Sequence, residues 1–113
     1  AIHAYNLILR FPKLKGMKIY IDKVPLYKGA EIALSKNIQS SLASSNKEYI
    51  KKKLKIECNK NKIDLIFDPQ TAGGMIFILD KNNEKILNEL NDANIKYTLI
   101  GKTINSNGKL EII

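Results

Sequence analysis

The residues best suited to chemistry stand together as Asp68-Pro69-Gln70-Thr71-Ala72-Gly73-Gly74, a short polar turn between two apolar runs. Pro69 fixes its own φ, and the glycine pair allows backbone amides to come close to another group. Amides plus the Thr71 hydroxyl are the donors with which a loop can hold an anion such as phosphate. Asp68, Gln70, Thr71, Gly73 and Gly74 are therefore the candidate substrate or phosphate-loop residues. The segment is not a Walker loop, since no Lys-Ser/Thr follows it and the next element reads as a strand. A plain tight turn, with Asp68 and Thr71 satisfying local amides, is the competing reading.

Other chemistry is sparse. Cys58 is the single cysteine and His3 the single histidine, 55 positions apart, so neither a disulfide, a metal site nor a Cys/His pair is expected. The chain carries 19 Lys and Arg against 11 Asp and Glu, and residues 1–62 hold 14 of those basic groups against 4 acidic ones. The densest run, Lys51-Lys52-Lys53-Leu54-Lys55, could attract anions at low salt. It lacks interleaved aromatics and any helix-turn-helix pattern, so it reads as a solvated face and nucleic acid is not expected as a partner.

Several elements must position the loop. Ile2 to Phe11 carries an apolar stripe at helical spacing (Ile2, Tyr5, Leu7, Ile8, Leu9, Phe11), stopped by Pro12. No capping residue precedes it, which reads as a chain cut from something longer. Met17 to Ile21 alternates as a half-buried strand. Lys28 to Lys36 reads as a short helix and residues 35–47, rich in Ser and Asn, as a loop. Glu48 to Cys58 fits a weak helix with an extended end, and Asn59 to Lys62 a turn. Ile63 to Phe67 and Met75 to Leu79 read as strands, the second interior because its apolar run is continuous. Asp80 is placed to cap a helix over Lys81 to Ala93, which Asn94 ends in the left-handed conformation. Lys96 to Ile104 and Lys109 to Ile113 then read as strands of a hairpin closed by Asn107-Gly108.

At 113 residues, 44% hydrophobic and 27% charged, the chain is sized for one domain, residues 1–113, with a single core. The expected class is α+β, a mixed α/β layer with a mostly antiparallel or mixed sheet and helices packed on it. No apolar run approaches the roughly 18 residues of a spanning helix, and no leader is visible, so a cytoplasmic location with no membrane partner is expected.

Leu65-Ile66-Phe67-Asp68-Pro69-Gln70-Thr71-Ala72-Gly73-Gly74-Met75 resembles the Phe-Asp-Pro-Gln-Thr-Ser-Gly-Gly-Leu signature of selenophosphate synthetases (selenide, water dikinases), within the aminoimidazole ribonucleotide synthetase-like superfamily. Val24-Pro25-Leu26-Tyr27-Lys28-Gly29-Ala30 is similar to that family's Val-Pro-Leu-x-Pro-Gly-Ala. Ser41-Leu42-Ala43-Ser44-Ser45-Asn46 resembles its Ser-Leu-x-Pro-x-Asn, and Ile100-Gly101-Lys102-Thr103 with Gly108-Lys109-Leu110 its closing hairpin. Ala72, Lys28 and Ser44 depart from the usual Ser, Pro and Pro, and His3 keeps the His of a Gly-His pair without its Gly.

The resemblance implies the later part of a C-terminal domain with the aminoimidazole ribonucleotide synthetase fold. It further implies an enzyme that makes selenophosphate, AMP and phosphate from selenide, ATP and water, with ATP and Mg2+ bound by the full-length protein. The reactive Cys or selenocysteine, the essential Lys and the metal-binding Asp residues belong upstream, so no catalytic residue and no metal ligand is expected in this segment. The implied partners are a missing N-terminal ATP-binding half and, for the full-length protein, a second copy in a homodimer. A non-catalytic anion-binding or regulatory module of the same fold is the alternative.

Overall fold

A computed structural model describes residues 1–58, 61–81 and 83–113. Four short strands form one mixed sheet: β1 (Gly16–Ile19), β2 (Leu54–Ile56), β3 (Gly101–Thr103) and β4 (Lys109–Ile112), in the spatial order β2-β4-β1-β3. The helices are α1 (Ile2–Arg10), α2 (Ala30–Ser35), α3 (Ala43–Ile50) and α4 (Glu84–Asp92). The expected α+β class with a mixed sheet is the one observed.

Alternation sets which face of the sheet is apolar. Met17 pairs with Leu110, which pairs with Leu54, and Ile19 pairs with Ile112, which pairs with Ile56. Met17, Ile19, Leu110 and Ile112 of these rows form the core with Ala4 and Ile8 of α1, Ile50 of α3, and Phe67, while Leu54 packs at its edge and Ile56 is exposed. Between them lies the polar row: Lys18 stands opposite Glu111 in the parallel register, and their side chains close an ion pair at 3.1 Å. Tyr5 of α1 and Tyr49 of α3 meet edge to face, with ring centroids 6.0 Å apart, which fixes the two helices side by side.

The N-terminal helix and first strand match their sequence signals closely. α1 ends at Phe11, extended at φ −117°, because the following proline disfavours helical geometry there. Its buried residues are Ala4 and Ile8, whereas Leu9 and Phe11 face outward, so the stripe is narrower than expected. β1 stops at Ile19, and Ile21 continues the buried series from a 3₁₀ turn, Ile21–Lys23. α2 is shorter than Lys28 to Lys36 because Gly29, at φ 88°, breaks the chain just before Ala30.

The predicted loop over residues 35–47 is corrected: Ala43 to Lys47 are helical, part of α3. Ser45 Oγ donates back to the Leu42 carbonyl at 3.2 Å and Asn46 Nδ2 reaches outside the helix, so these side chains do not disrupt the ladder they were expected to break. A 3₁₀ turn over Lys51–Lys53 then leads into β2, the weak helix with an extended end. Of the turn expected over Asn59 to Lys62, the first two residues lie outside the described residues.

The two apolar runs flanking the polar turn are not strands. Ile63 to Phe67 belongs to a 3₁₀ turn, Asn61–Phe67. A short apolar run cannot by periodicity be told from a buried helical turn, and here burial of Phe67 under α1 and α3 decides for the turn. Met75 to Leu79 has no ladder partner and is not interior, with Met75 81% and Phe77 61% exposed. The polar turn therefore joins a helical turn to an irregular segment instead of two sheet strands.

α4 begins at Glu84, not Lys81, with Asn83 at its N-cap position; the Asp80 carbonyl accepts from the Asn83 amide at 3.0 Å, and among the described residues the Asp80 side chain caps no helix amide. Asn82 lies outside the described residues. Ile86, Leu87 and Leu90 are half-buried, Ala93 is exposed, and Asn94 takes the left-handed conformation (φ 55°) as expected.

The closing hairpin is split. Asn107 and Gly108 do adopt positive φ, 52° and 76°, but β3 and β4 do not pair with each other. β1 lies between them, antiparallel to β3 and parallel to β4. Regular pairing on the β3 side covers only Gly101–Thr103 of the predicted Lys96 to Ile104. The connecting loop wraps the start of β1: the Gly108 and Ser106 amides both donate to the Lys15 carbonyl, at 2.6 and 3.3 Å. A Cβ at Gly16 would collide with the Ser106 side chain, and one at Gly101 with the Lys18 carbonyl oxygen, so both close approaches depend on glycine.

Candidate functional site

The Asp68–Gly74 turn is held at its root and open at its tip. Phe67 is 1% exposed and anchors the root in the core. Asn46 Nδ2 donates to the Phe67 carbonyl at 2.8 Å, and the Ala1 α-amino group donates to the Ile66 carbonyl at 2.6 Å. Burial of that amino group removes water from its charged form and lowers its pKa from 8.0 to about 6. His3 Nε2 lies 3.2 Å from the Gln70 carbonyl oxygen. Three segments distant in the chain, residues 1–3, 46 and 66–70, thus converge on one bend.

Within the turn, Gln70 Nε2 donates to Asp68 Oδ2 at 2.5 Å, which folds the Gln70 side chain back. Gly73 lies against that side chain; a Cβ at 73 would approach Gln70 Cβ to 3.1 Å, whereas one at 74 would meet open space. Thr71, Ala72, Gly73 and Gly74 are exposed. Among the described residues their backbone amides make no hydrogen bond, so four donors face solvent. Lys47 is the nearby cation: its ammonium pairs with Asp64 at 2.9 Å and sits 5.6 Å from the Phe67 ring centroid.

The arrangement offers neutral donors around a polar tip with one lysine behind its root. Exposed amides and a hydroxyl are the donor types that suit an oxyanion, and among the described residues of the turn no nucleophile stands beside a base. Among the described residues no group of three or more His, Cys, Asp or Glu could hold a metal ion. The five candidate residues are brought together in one bend, with Asp68 and Gln70 joined to each other and Thr71, Gly73 and Gly74 at the surface. His3, Asn46 and Lys47 were not singled out as site residues from the sequence. The one available signal was that His3 and Asn46 fall inside stretches resembling the same family as the turn itself.

No family model matches the chain. Among curated proteins, a selenide, water dikinase of Caldanaerobacter subterraneus subsp. tengcongensis is 32% identical over 93 residues, covering 79% of this chain and 26% of the relative. One from Campylobacter jejuni serotype O:2 is 32% identical over 91 residues, and one from another strain of that species 30% over 91, each covering 80% of this chain and 26% of the relative. The names of these relatives are those of a kinase-type enzyme family. Over about four-fifths of its length the chain is similar to the selenophosphate synthetase family, and it spans about a quarter of the length of the curated relatives it matches.

Proposed function

We propose that these 113 residues are part of the C-terminal domain of a selenophosphate synthetase, forming one wall of its cleft. The whole protein would convert selenide, ATP and water to selenophosphate, AMP and phosphate in the cytoplasm, as a homodimer using Mg2+. The observation that carries the reading is the 30–32% identity to three selenide, water dikinases over about four-fifths of the chain. No helix among the described residues is long and apolar enough to cross a membrane.

Under this reading Asp68 and Gln70 hold the bend, and the Thr71 hydroxyl with the amides of 71–74 face a phosphate or substrate oxygen. ATP and its metal would supply the transferable phosphoryl group and charge neutralisation. The part of these residues in that reading is positioning. Phosphorus NMR of the 113-residue chain with ATP, Mg2+ and selenide should show no selenophosphate, and turnover would refute the supporting role. The parent chain containing this segment should produce selenophosphate and AMP. If it leaves selenide unchanged, the family activity does not extend to this protein.

A further inference from the structure

Two adjoining hollows flank the loop that wraps β1. One, of about 500 Å³, is lined by Lys55, Asn105, Ser106, Asn107, Lys109 and Glu111; the other, of about 330 Å³, by Lys13 to Lys15 and Thr103 to Asn105. They meet at Asn105 and together make an open trough along one end of the sheet.

Its charge is not that of the lysine run conspicuous in the sequence. Lys51 pairs with Glu48 at 3.2 Å, Lys55 with Glu57 at 2.6 Å, and Glu111 is taken by Lys18. The Lys55–Glu57 hydrogen bond raises the lysine pKa and lowers that of the glutamate, so this pair stays ionised and mutually satisfied. Lys13, Lys15 and Lys109 form no ion pair among the described residues, and nor do Lys52 and Lys53 of the run, but only the first three line the hollows. Three uncompensated cations therefore converge from two parts of the chain, with Lys109 in one hollow and Lys13 and Lys15 in the other.

The floor between them is fixed. The Lys15 carbonyl clamps the loop through two amides, and Ser106 Oγ donates to the Lys109 carbonyl at 3.1 Å. The side chains of Asn105, Asn107 and Thr103 and the amides of Asn105 and Asn107 make no hydrogen bond among the described residues. Two cationic centres joined by neutral donors match an anion with two or more charged groups, each rich in acceptor oxygens. No aromatic residue lines either hollow, so nothing here stacks on a nucleobase.

We propose that the trough binds a short chain of linked phosphates. The inference stands apart from the Asp68–Gly74 turn and from the family's reaction. Inorganic tripolyphosphate, titrated into the 113-residue chain at low salt, should give saturable amide shifts in NMR confined to residues 103–109 and 13–16. Calorimetry with the triple variant Lys13→Gln, Lys15→Gln, Lys109→Gln should show affinity reduced by about tenfold or more. The equal-charge variant Lys51→Gln, Lys52→Gln, Lys53→Gln should change it less than about twofold. Equal losses in both variants, or shifts spread over the lysine run, would mean that overall positive charge does the binding, and would overturn the site. The unaltered chain's NMR titration decides the matter even if the first variant is poorly folded. Tighter binding of a uridine dodecamer than of tripolyphosphate at 150 mM salt would overturn the choice of ligand, since only the longer backbone would then fit.

Discussion

β4 is half charged (Lys-Leu-Glu-Ile) and the Met75–Leu79 segment wholly apolar, yet it is β4 whose apolar side chains are buried. Leu110 and Ile112 are wholly buried, between β1 and β2, while Met75 and Phe77 lie largely in water. Apolar content is not what separates them. β4 has a hydrogen-bonding neighbour on both sides and α1 across its inner face, whereas the Met75 segment has no ladder at all. A β-strand is made by its partners as much as by its residues.

That contrast can be broken most forcefully at the centre of the sheet. Leu110→Ala should lower unfolding free energy by about 3 kcal/mol or more in a urea titration, as expected for a fully buried leucine that leaves a cavity. Phe77→Ala should cost under about 0.5 kcal/mol, because its ring already faces solvent. A similar loss from both would place Phe77 in a core.

Glycines sharpen the comparison next. Gly101→Ala should destabilise by about 2–4 kcal/mol, since its Cβ would strike the backbone of β1, whose neighbours cannot retreat. Gly74→Ala should fall within about 0.5 kcal/mol, its Cβ pointing into open space.

In the 113-residue chain, where Ala1 carries a free α-amino group, the root of the polar turn responds to pH. With the Ala1 amino pKa lowered to about 6 in the fold, the unfolded chain takes up this proton first as pH falls from 8. Stability should therefore decline between pH 8 and 6 by up to about 2.7 kcal/mol and level off below, with Nα-acetylation flattening the slope. Stability rising over that interval as acid is added would contradict the buried amine. Smallest is Asn46→Ala, which removes one neutral hydrogen bond to the Phe67 carbonyl and should cost about 1 kcal/mol by chemical denaturation.

Local signals were legible where they act locally. Pro12 ended α1, Asn94 ended α4, and Asn107-Gly108 turned the chain with the expected positive φ values. What sequence could not supply was who sits beside whom. The Asn107-Gly108 turn looks the same whether its strands touch or admit a third strand, and only the register with β1 reveals the insertion. The same limit explains Ile63 to Phe67, whose apolar run suits a strand or a buried turn until Phe67 is seen beneath two helices. For the turn itself, residue types pointed to exposed donors, and the resemblance pointed to the family. Its clamping by His3, Asn46 and Ala1 rests on contacts up to 67 positions apart, which no local pattern encodes.

The insertion of β1 between β3 and β4 bears on how this polypeptide emerges from the ribosome. β4 borders both β1 and β2, yet it is synthesised after every other strand. Until residues 109–112 clear the exit tunnel, β1 and β3 can already pair, but β2 has no neighbour in the sheet. Arrest just short of that point should leave it open to proteases and chaperones, and release of a few more residues should let the sheet close.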